Sequence, residues 1–237
     1  GAGQEPAQVS GTGSLNQQPF RIDARVGSIE DAIAALKPYP PDISLHSTSF
    51  TLLAKGTVDD LPGGRGLDIS LSFDSPSLSA ILRMLQIDAE GFGAAQAALR
   101  LKGGFAAPAA EEIAVSVTAP GGEAFTAQGR IANLVRGDGV DLSFNGTLDP
   151  RPLALLTGAS QSLQAITSGL TNLDVSGRLT GSYARLSLEA VDLRAAHVAG
   201  AQAGLRGRAA AGFTGSALAL SDLAFTAELS LPDEKLL

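Results

Sequence analysis

The sequence predicts a mainly β protein, in which one elongated, curved antiparallel sheet is built from divergent repeats and carries a few short helices. Three observations support this prediction. Apolar and polar residues alternate along many segments, glycine-rich turns separate these segments, and Gly129 and its neighbours repeat Gly56 and its neighbours 73 positions later. Such a curved sheet would enclose a groove, in the manner of a taco shell.

Strand segments are recognised by side chains that alternate between apolar and polar. In Leu67–Phe73, every second residue is apolar and the others are Asp or Ser, which is typical of a strand with one buried face. A one-sided alternation favours antiparallel pairing, since parallel sheets are covered on both faces. The same pattern occurs in Phe20–Ala24, Ile43–Ser47, Leu99–Lys102, Ile113–Thr118, Val140–Asn145, Leu186–Glu189, Leu218–Ser221 and Phe225–Leu231.

The connections carry turn and helix signals. Pro62–Gly66, Pro120–Gly122 and Gly137–Gly139 contain the glycines that tight hairpins need for a positive φ. Four short helices are predicted, each from an N-terminal capping signal or from apolar residues on one helix face. They are a helix capped by Ser28 that covers Ala32–Leu36, one capped by Ser75 with Pro76 at its first position, one that opens at Asp149, and one over Leu163–Leu170.

The repeats define the predicted organisation of the chain. Ala54–Leu61 matches Ala127–Leu134 at an offset of 73, and Leu99–Gly103 matches Leu173–Gly177 at an offset of 74. We therefore expect residues 1–18 to be a linker or a remnant of cloning, and residues 19–237 to form a single β domain built from repeats. Those repeats would cover roughly residues 50–122 and 123–200, with a partial copy over 201–237.

Composition excludes several classes of function. With 17 basic and 24 acidic residues the net charge is −7, so a nucleic-acid backbone would repel the chain. The absence of cysteine and the presence of only two histidines, His46 and His197, leave few catalytic or metal-binding side chains. Asp59–Asp60 and Glu111–Glu112 are predicted to be solvated turn residues, and on an extended chain the two members of each pair would point to opposite faces. We therefore expect a protein that is not an enzyme and has no catalytic residues, metal site or cofactor.

The apolar faces of the strands provide the candidate site. One interpretation is an ordinary core, closed by a second sheet. The other is an open curved sheet with an apolar groove that acyl chains could occupy while their headgroups stay in water. The groove candidates are Leu67, Ile69, Leu71, Phe73, Leu99, Leu101, Ile113, Val115, Val117, Val140, Leu142, Phe144, Leu186 and Leu188.

The order of the motifs resembles a known family. Pro19–Asp23 followed by a short helix, and then Pro38–Leu45, Leu53–Val58 and Gly66–Ser72, are similar to successive segments of the AsmA-like family of bacterial envelope proteins, the relatives of TamB and YhdP. The similarity covers roughly residues 19 to 231. Its weight comes from the order and repetition of the motifs, because Gly, Leu and Asp at strand spacing have little chemical specificity.

The resemblance implies a location and a cargo. Members of that family are anchored in the inner membrane and project into the periplasm, where a long sheet curls into an apolar groove for phospholipid. It implies here a periplasmic segment that binds phospholipid or another acyl-chain lipid, with its membrane anchor in a region absent from this chain and an outer-membrane protein as a partner. The alternative is a structural or interaction scaffold of an envelope protein that carries no lipid.

Overall fold

The fold is one antiparallel sheet of 13 strands, in which each strand pairs with the strands before and after it in sequence. The computed structural model describes residues 6–16, 18–28, 38–86, 92–118, 124–148, 170–197, 200, 202–214 and 217–230. The strands are β1 (Ala7–Leu15), β2 (Gln18–Val26), β3 (Asp42–Ser47), β4 (Thr51–Asp60), β5 (Arg65–Ser75), β6 (Ala95–Gly104), β7 (Ala107–Thr118), β8 (Ala124–Asn133), β9 (Asp138–Leu148), β10 (Leu170–Ser182), β11 (Arg185–His197), β12 (Gln202–Thr214) and β13 (Ala217–Ser230).

The sheet has one apolar and one polar face. Residues directly opposite each other on neighbouring strands share a face, and the pairing places Leu71 opposite Leu99 while it places Ser70 opposite Arg100. We call the side that carries Leu71 the apolar face and the side that carries Ser70 the polar face. Where the pairing between two strands shifts, one strand carries an extra residue in a β-bulge. The apolar residues on either side of the bulge therefore stay on the same face of the sheet.

The sheet is open. The described strands make extensive contacts only with their neighbours in the sheet, and β1 and β13 form its two edges. The accessible surface is 15000 Å² for a chain of 24.0 kDa, whereas a compact monomer of this mass exposes roughly 10,000 Å². The predicted fold class, an elongated curved sheet with a groove-like shape, is therefore confirmed.

The exposure of alanines identifies the more enclosed side of the sheet. Ala95 and Ala110 on the apolar face are 5% and 0% exposed, whereas Ala98 and Ala114 on the polar face are exposed. Because the side chains have the same size, the difference reflects crowding by neighbours. The apolar face is therefore the more crowded of the two faces.

The strand arrangement repeats. Gly56 on β4 lies opposite Ile69, and Gly129 on β8 lies opposite Leu142, 73 positions further along. For the two strands that follow, β6–β7 and β10–β11, the offset is 78, since Arg100 on β6 corresponds to Arg178 on β10. The offset of 74 expected for Leu99–Gly103 is therefore wrong. The residue equivalent to Leu99 is Gly177, because 24 residues separate the paired Leu148 and Leu173, whereas 19 separate the equivalent Ser75 and Ala95.

One short helix, α1 (Leu78–Met84), lies in the described part of the chain. Its N-cap is Ser77, whose side chain accepts a hydrogen bond from the Ala80 amide. The predicted cap, Ser75, instead donates its hydroxyl to the Ser49 carbonyl oxygen at 2.8 Å. Pro76 thus precedes the cap and is not the first helical residue.

The other sequence expectations have mixed outcomes. Residues 7–15 were expected to be a linker, but they form β1 and pair with β2 over their whole length. Their side chains are mostly small or polar, so the segment lacks the alternation by which the other strands were recognised. The predicted helices at Ala32–Leu36 and from Asp149 lie outside the described residues, as does Leu163–Leu170 except for Leu170, which begins β10.

Candidate functional site

All 14 predicted groove residues lie on the apolar face. The structure brings together four from β5, two from β6, three from β7, three from β9 and two from β11. Most are half-buried, and Leu67 and Val140 are the most deeply buried of them, at 7% and 4% exposed. Because no second layer among the described elements covers them, their burial comes from side chains on the same face.

From β5 to β10, large and small side chains alternate along one row that crosses the strands. In this row Phe73 lies opposite Ala97 and Val115 lies opposite Ala127. A small residue beside a large one lets neighbouring strands tilt toward the apolar side without a clash between side chains. The full row is Leu45, Leu52, Phe73, Ala97, Val115, Ala127, Phe144 and Gly177.

The apolar face also includes residues that sequence reasoning missed. Val58 on β4 is 3% exposed and lies opposite Leu67, and Val191 on β11 is 8% exposed. Leu52 was hidden because Leu53 follows it and interrupts the alternation. Pairing with β5 would have revealed it, since Leu52 lies opposite Phe73.

Two aromatic pairs lie on the apolar face, at positions that are not equivalent in the repeat. Phe50 stacks on Phe73 with ring centroids 6.0 Å apart, and Phe125 stacks on Phe144 at the same distance. Helix α1 follows β5 at the end of the sheet where the first pair lies, and there the Asn16 side-chain amide donates to the Met84 carbonyl oxygen at 2.6 Å. This contact ties the β1–β2 turn to the helix, so α1 lies across that end of the sheet.

The polar face carries repeated ion pairs. Arg100 makes two hydrogen bonds to Asp68, at 2.6 and 2.8 Å. Arg178 makes the same pair of bonds to Asp141, at 2.7 and 2.9 Å. In both places the guanidinium stabilises the charged carboxylate and lowers its pKa.

A third carboxylate on this face is shifted further. Hydrogen bonds from the Arg21 guanidinium and the Ser10 hydroxyl lower the pKa of Asp23 to about 2. Asp192 is likewise held charged by hydrogen bonds from Arg194 and Arg206, which lower its pKa. These carboxylates stay ionised at neutral pH, and at that pH none of them is suited to act as a general acid or base.

The adjacent carboxylates partly contradict the expectation from sequence. Glu111 and Glu112 were expected on opposite faces, yet Glu111 pairs with Lys102 at 2.9 Å and Glu112 reaches Arg100 at 3.7 Å. Both lie on the polar side because Glu112 occupies a bulge with φ of 53°. Asp60 is bonded to the Arg65 side chain in its hairpin.

His46, the histidine whose side chain the structure describes, lies away from the apolar face. His46 is exposed on the polar face, as its position in the alternation predicted, and its ring lies 3.5 Å from the Thr51 hydroxyl. His197 belongs to β11, and its side chain lies outside the described part. Among the described residues, no group of three His, Asp or Glu could hold a metal ion.

A hollow of about 630 Å³ lies over β4 to β9 on the polar face. Small and uncharged polar side chains dominate its lining, including Thr51, Gln96, Ser116, Gln128 and Asn145. It is thus distinct from the apolar site that the sequence predicted.

Comparison with known proteins identified no relative. No protein-family model, curated protein or solved structure matches the chain. In the part of the chain that the structure describes, no helix is long and apolar enough to cross a membrane.

Proposed function

We propose that the apolar face binds the acyl chains of phospholipid. The observation that supports this proposal is an apolar surface that runs from β2 to β13 and that no second layer among the described elements covers. Apolar patches of this extent are rare on soluble monomers and mark sites for apolar ligands, membranes or partners. An acyl chain needs only apolar contacts, so an uncovered surface of this kind suits a lipid.

The energetics suit an unspecific apolar ligand. Each methylene group that leaves water contributes about 0.8 kcal/mol, so an acyl chain needs no polar partner within the groove. Leu99 and Leu142 offer such contacts near the middle of the face, and both remain half-exposed. The headgroup would stay in water at the rim of the sheet, where it avoids the cost of burying a charge.

The family resemblance gives the proposal a cellular setting. An AsmA-like protein would hold this segment in the periplasm, anchored in the inner membrane through a region outside this chain. There the groove would bind or conduct phospholipid between the inner and outer membranes and so support outer-membrane biogenesis, with an outer-membrane protein as a partner. In this proposal the protein binds its cargo and performs no covalent chemistry.

A scaffold that carries no lipid is the second candidate. The 630 Å³ hollow lies on the polar face and not on the apolar face, which favours this alternative. A scaffold would need only the length of the sheet, which is roughly 58 Å across twelve spacings between strands of about 4.8 Å.

Native mass spectrometry distinguishes the two candidates. The purified chain would be incubated with vesicles of phosphatidylethanolamine and phosphatidylglycerol, separated from them, and examined for bound lipid. Leu99→Asp places a carboxylate on the apolar face, and the matched control Ala98→Asp places one on the exposed polar face of the same strand. We expect lipid on the wild type and on Ala98→Asp but not on Leu99→Asp. Absence of lipid from all three folded proteins would reject the lipid proposal and support the scaffold.

A further inference from the structure

Among the strands that the structure describes, β13 lies at an edge of the sheet and is apolar on one face. Its partner in that set is β12 alone, and every side chain from 221 to 230 is exposed. Leu223, Phe225 and Leu229 are 59%, 41% and 70% exposed and share the apolar face. An edge of this kind offers both free backbone hydrogen-bonding groups and uncovered apolar side chains.

The sequence of β13 lacks several of the usual protections of an edge. Natural edge strands are commonly blocked by lysine, proline, a bulge or a short length. β13 has 14 residues and no Lys, Arg or Pro, and its bulge at Asp222 lies before the segment Leu223–Ser230. The opposite edge differs, since β1 has nine residues and includes Gly11 and Gly13. Of the two edges, β13 is therefore the better template for another strand.

The topology restricts how a second copy can add to this edge. Because the sheet has an odd number of antiparallel strands, β1 and β13 run in the same direction. If the apolar faces of two copies lie on the same side, β1 of the second copy would meet β13 in parallel orientation. Antiparallel pairing at this edge therefore requires β13 of both copies, related by a twofold axis perpendicular to the sheet.

One register of this pairing is self-complementary. With Thr226 on the twofold axis, Leu223 lies opposite Leu229 of the second copy, and Phe225 lies opposite the small Ala227. On the polar face, Glu228 then meets Ala224 and no like charges are opposed.

Neighbouring registers are poorer. Centring the axis on Phe225 sets Glu228 opposite Asp222, which opposes two negative charges. Centring it on Ala227 leaves Leu223 beyond Ser230, the last residue of β13.

We propose that two copies of this chain join edge to edge through β13, with Thr226 on the twofold axis. The resulting sheet has 26 strands and one continuous apolar face. Each copy covers the exposed leucines of the other, and the outward backbone groups of both strands gain hydrogen bonds. This interface does not depend on lipid binding.

Disulfide cross-linking tests the register directly, because the chain contains no cysteine. Residues directly opposite in an antiparallel pair have Cα atoms about 4.5–5.5 Å apart, which is within the range that a disulfide spans. Under mild oxidation Thr226→Cys should form a covalent dimer. Ser230→Cys is the matched control, since its two copies would lie on opposite sides of the axis and should stay uncross-linked. Equal cross-linking of both variants, or of Ser230→Cys alone, would overturn the proposed register.

Sedimentation of the wild-type chain tests the interface itself. We expect the mass to rise with concentration from 24.0 kDa to twice that value, and Leu229→Lys to stay monomeric because it sets a charge opposite Leu223. Val135→Lys is the control, as Val135 is similarly exposed, at 65%, but lies away from β13. Unchanged circular dichroism would show that both variants fold. A wild type that remains monomeric, or a dimer that survives Leu229→Lys, would overturn the proposal.

Discussion

Two consecutive parts of the sheet, β4–β7 and β8–β11, share the same backbone arrangement but differ in sequence. Both begin with a strand that contains a closely packed glycine, Gly56 in the first and Gly129 in the second. In both, the hairpin glycine before the second strand accepts a hydrogen bond from an aromatic residue two strands away. Phe105 donates its amide to Gly64 in the first part, and Tyr183 donates to Gly137 in the second.

The polar face differs more between the two parts. Lys102 pairs with Glu111 in the first, whereas Thr180 donates a hydrogen bond to the equivalent Glu189 in the second. The bulge residue Glu112 becomes Ala190, with nearly the same positive φ. Backbone geometry and the apolar alternation are therefore shared, while most polar contacts vary. This difference predicts that backbone changes have larger effects than polar-face changes.

The largest effect is expected from filling the close approach at the two glycines. A Cβ at Gly56 would overlap the carbonyl oxygen of Asp68, and one at Gly129 would overlap that of Asp141. Gly56→Ala and Gly129→Ala should each reduce the free energy of unfolding by roughly 2–4 kcal/mol, measured by urea denaturation. Gly204→Ala is the control, because the nearest atom to its Cβ would be 3.9 Å away. Equal stability of all three variants would show that the two glycines are interchangeable with alanine.

A smaller loss of stability is expected from charges on the apolar face. Leu71 and Phe144 occupy equivalent positions, and both are half-buried without a covering layer among the described elements. A carboxylate at either position can remain hydrated, so Leu71→Asp and Phe144→Asp should stay folded and lose about 1–2 kcal/mol. Both should also retain less phospholipid than the wild type. Thermal unfolding and lipid extraction measure the two effects, and loss of cooperative unfolding in both variants would indicate a closed core instead.

Much of the fold could be predicted because its strands alternate regularly. Leu67–Phe73 and Val140–Asn145 were recognised in this way and lie in β5 and β9. Strand β12 was missed, because its sequence is rich in Ala, Gly and Arg and has few large apolar residues. The pairing places Leu205 opposite Leu193, so the neighbouring strand supplies apolar surface that the sequence of β12 lacks.

The sequence predicted which side chains belong to the site, but not which of them lie next to each other. Periodicity assigns each residue to a face of its own strand, yet only the register shows that Leu99 meets Leu71. The bulge at Glu112 reverses the alternation within β7, and the sequence shows no glycine there to signal it. The change of offset from 73 to 78 was hidden for a similar reason, since the added residues fall in a connection.

The bulges provide a test in which stability should increase. Ala190 and Glu112 have φ of 49° and 53°, a region that costs a residue with a Cβ about 1 kcal/mol. Ala190→Gly should therefore stabilise the chain by up to about 0.5 kcal/mol, after the greater entropy of glycine in the unfolded state is subtracted. Glu112→Gly should gain less, because it also loses the 3.7 Å ion pair with Arg100. Chemical denaturation of the two variants measures the difference, and destabilisation by Ala190→Gly would show that the bulge does not strain alanine.

The smallest effect is expected from the Asp–Arg pairs that both parts share. Hydrogen bonds from Arg100 and Arg178 lower the pKa of Asp68 and Asp141 from the ordinary value of 3.8. A carboxyl whose pKa is lower in the folded state stabilises the fold above its unfolded pKa, and this contribution is lost as the pH falls through the folded pKa. The melting temperature should therefore decline below about pH 4, and Asp68→Asn and Asp141→Asn should each flatten that decline.

Salt provides the control for this interpretation. Both pairs are partly exposed to solvent, so added salt should screen them and flatten the acid decline of the wild type in the same direction. The two parts of the sheet should respond alike, because the geometry of the two pairs is nearly identical. If the melting temperature of the double variant Asp68→Asn, Asp141→Asn still falls in acid as it does in the wild type, other carboxylates cause the fall. Asp23, with its pKa of about 2, is the first of these to test.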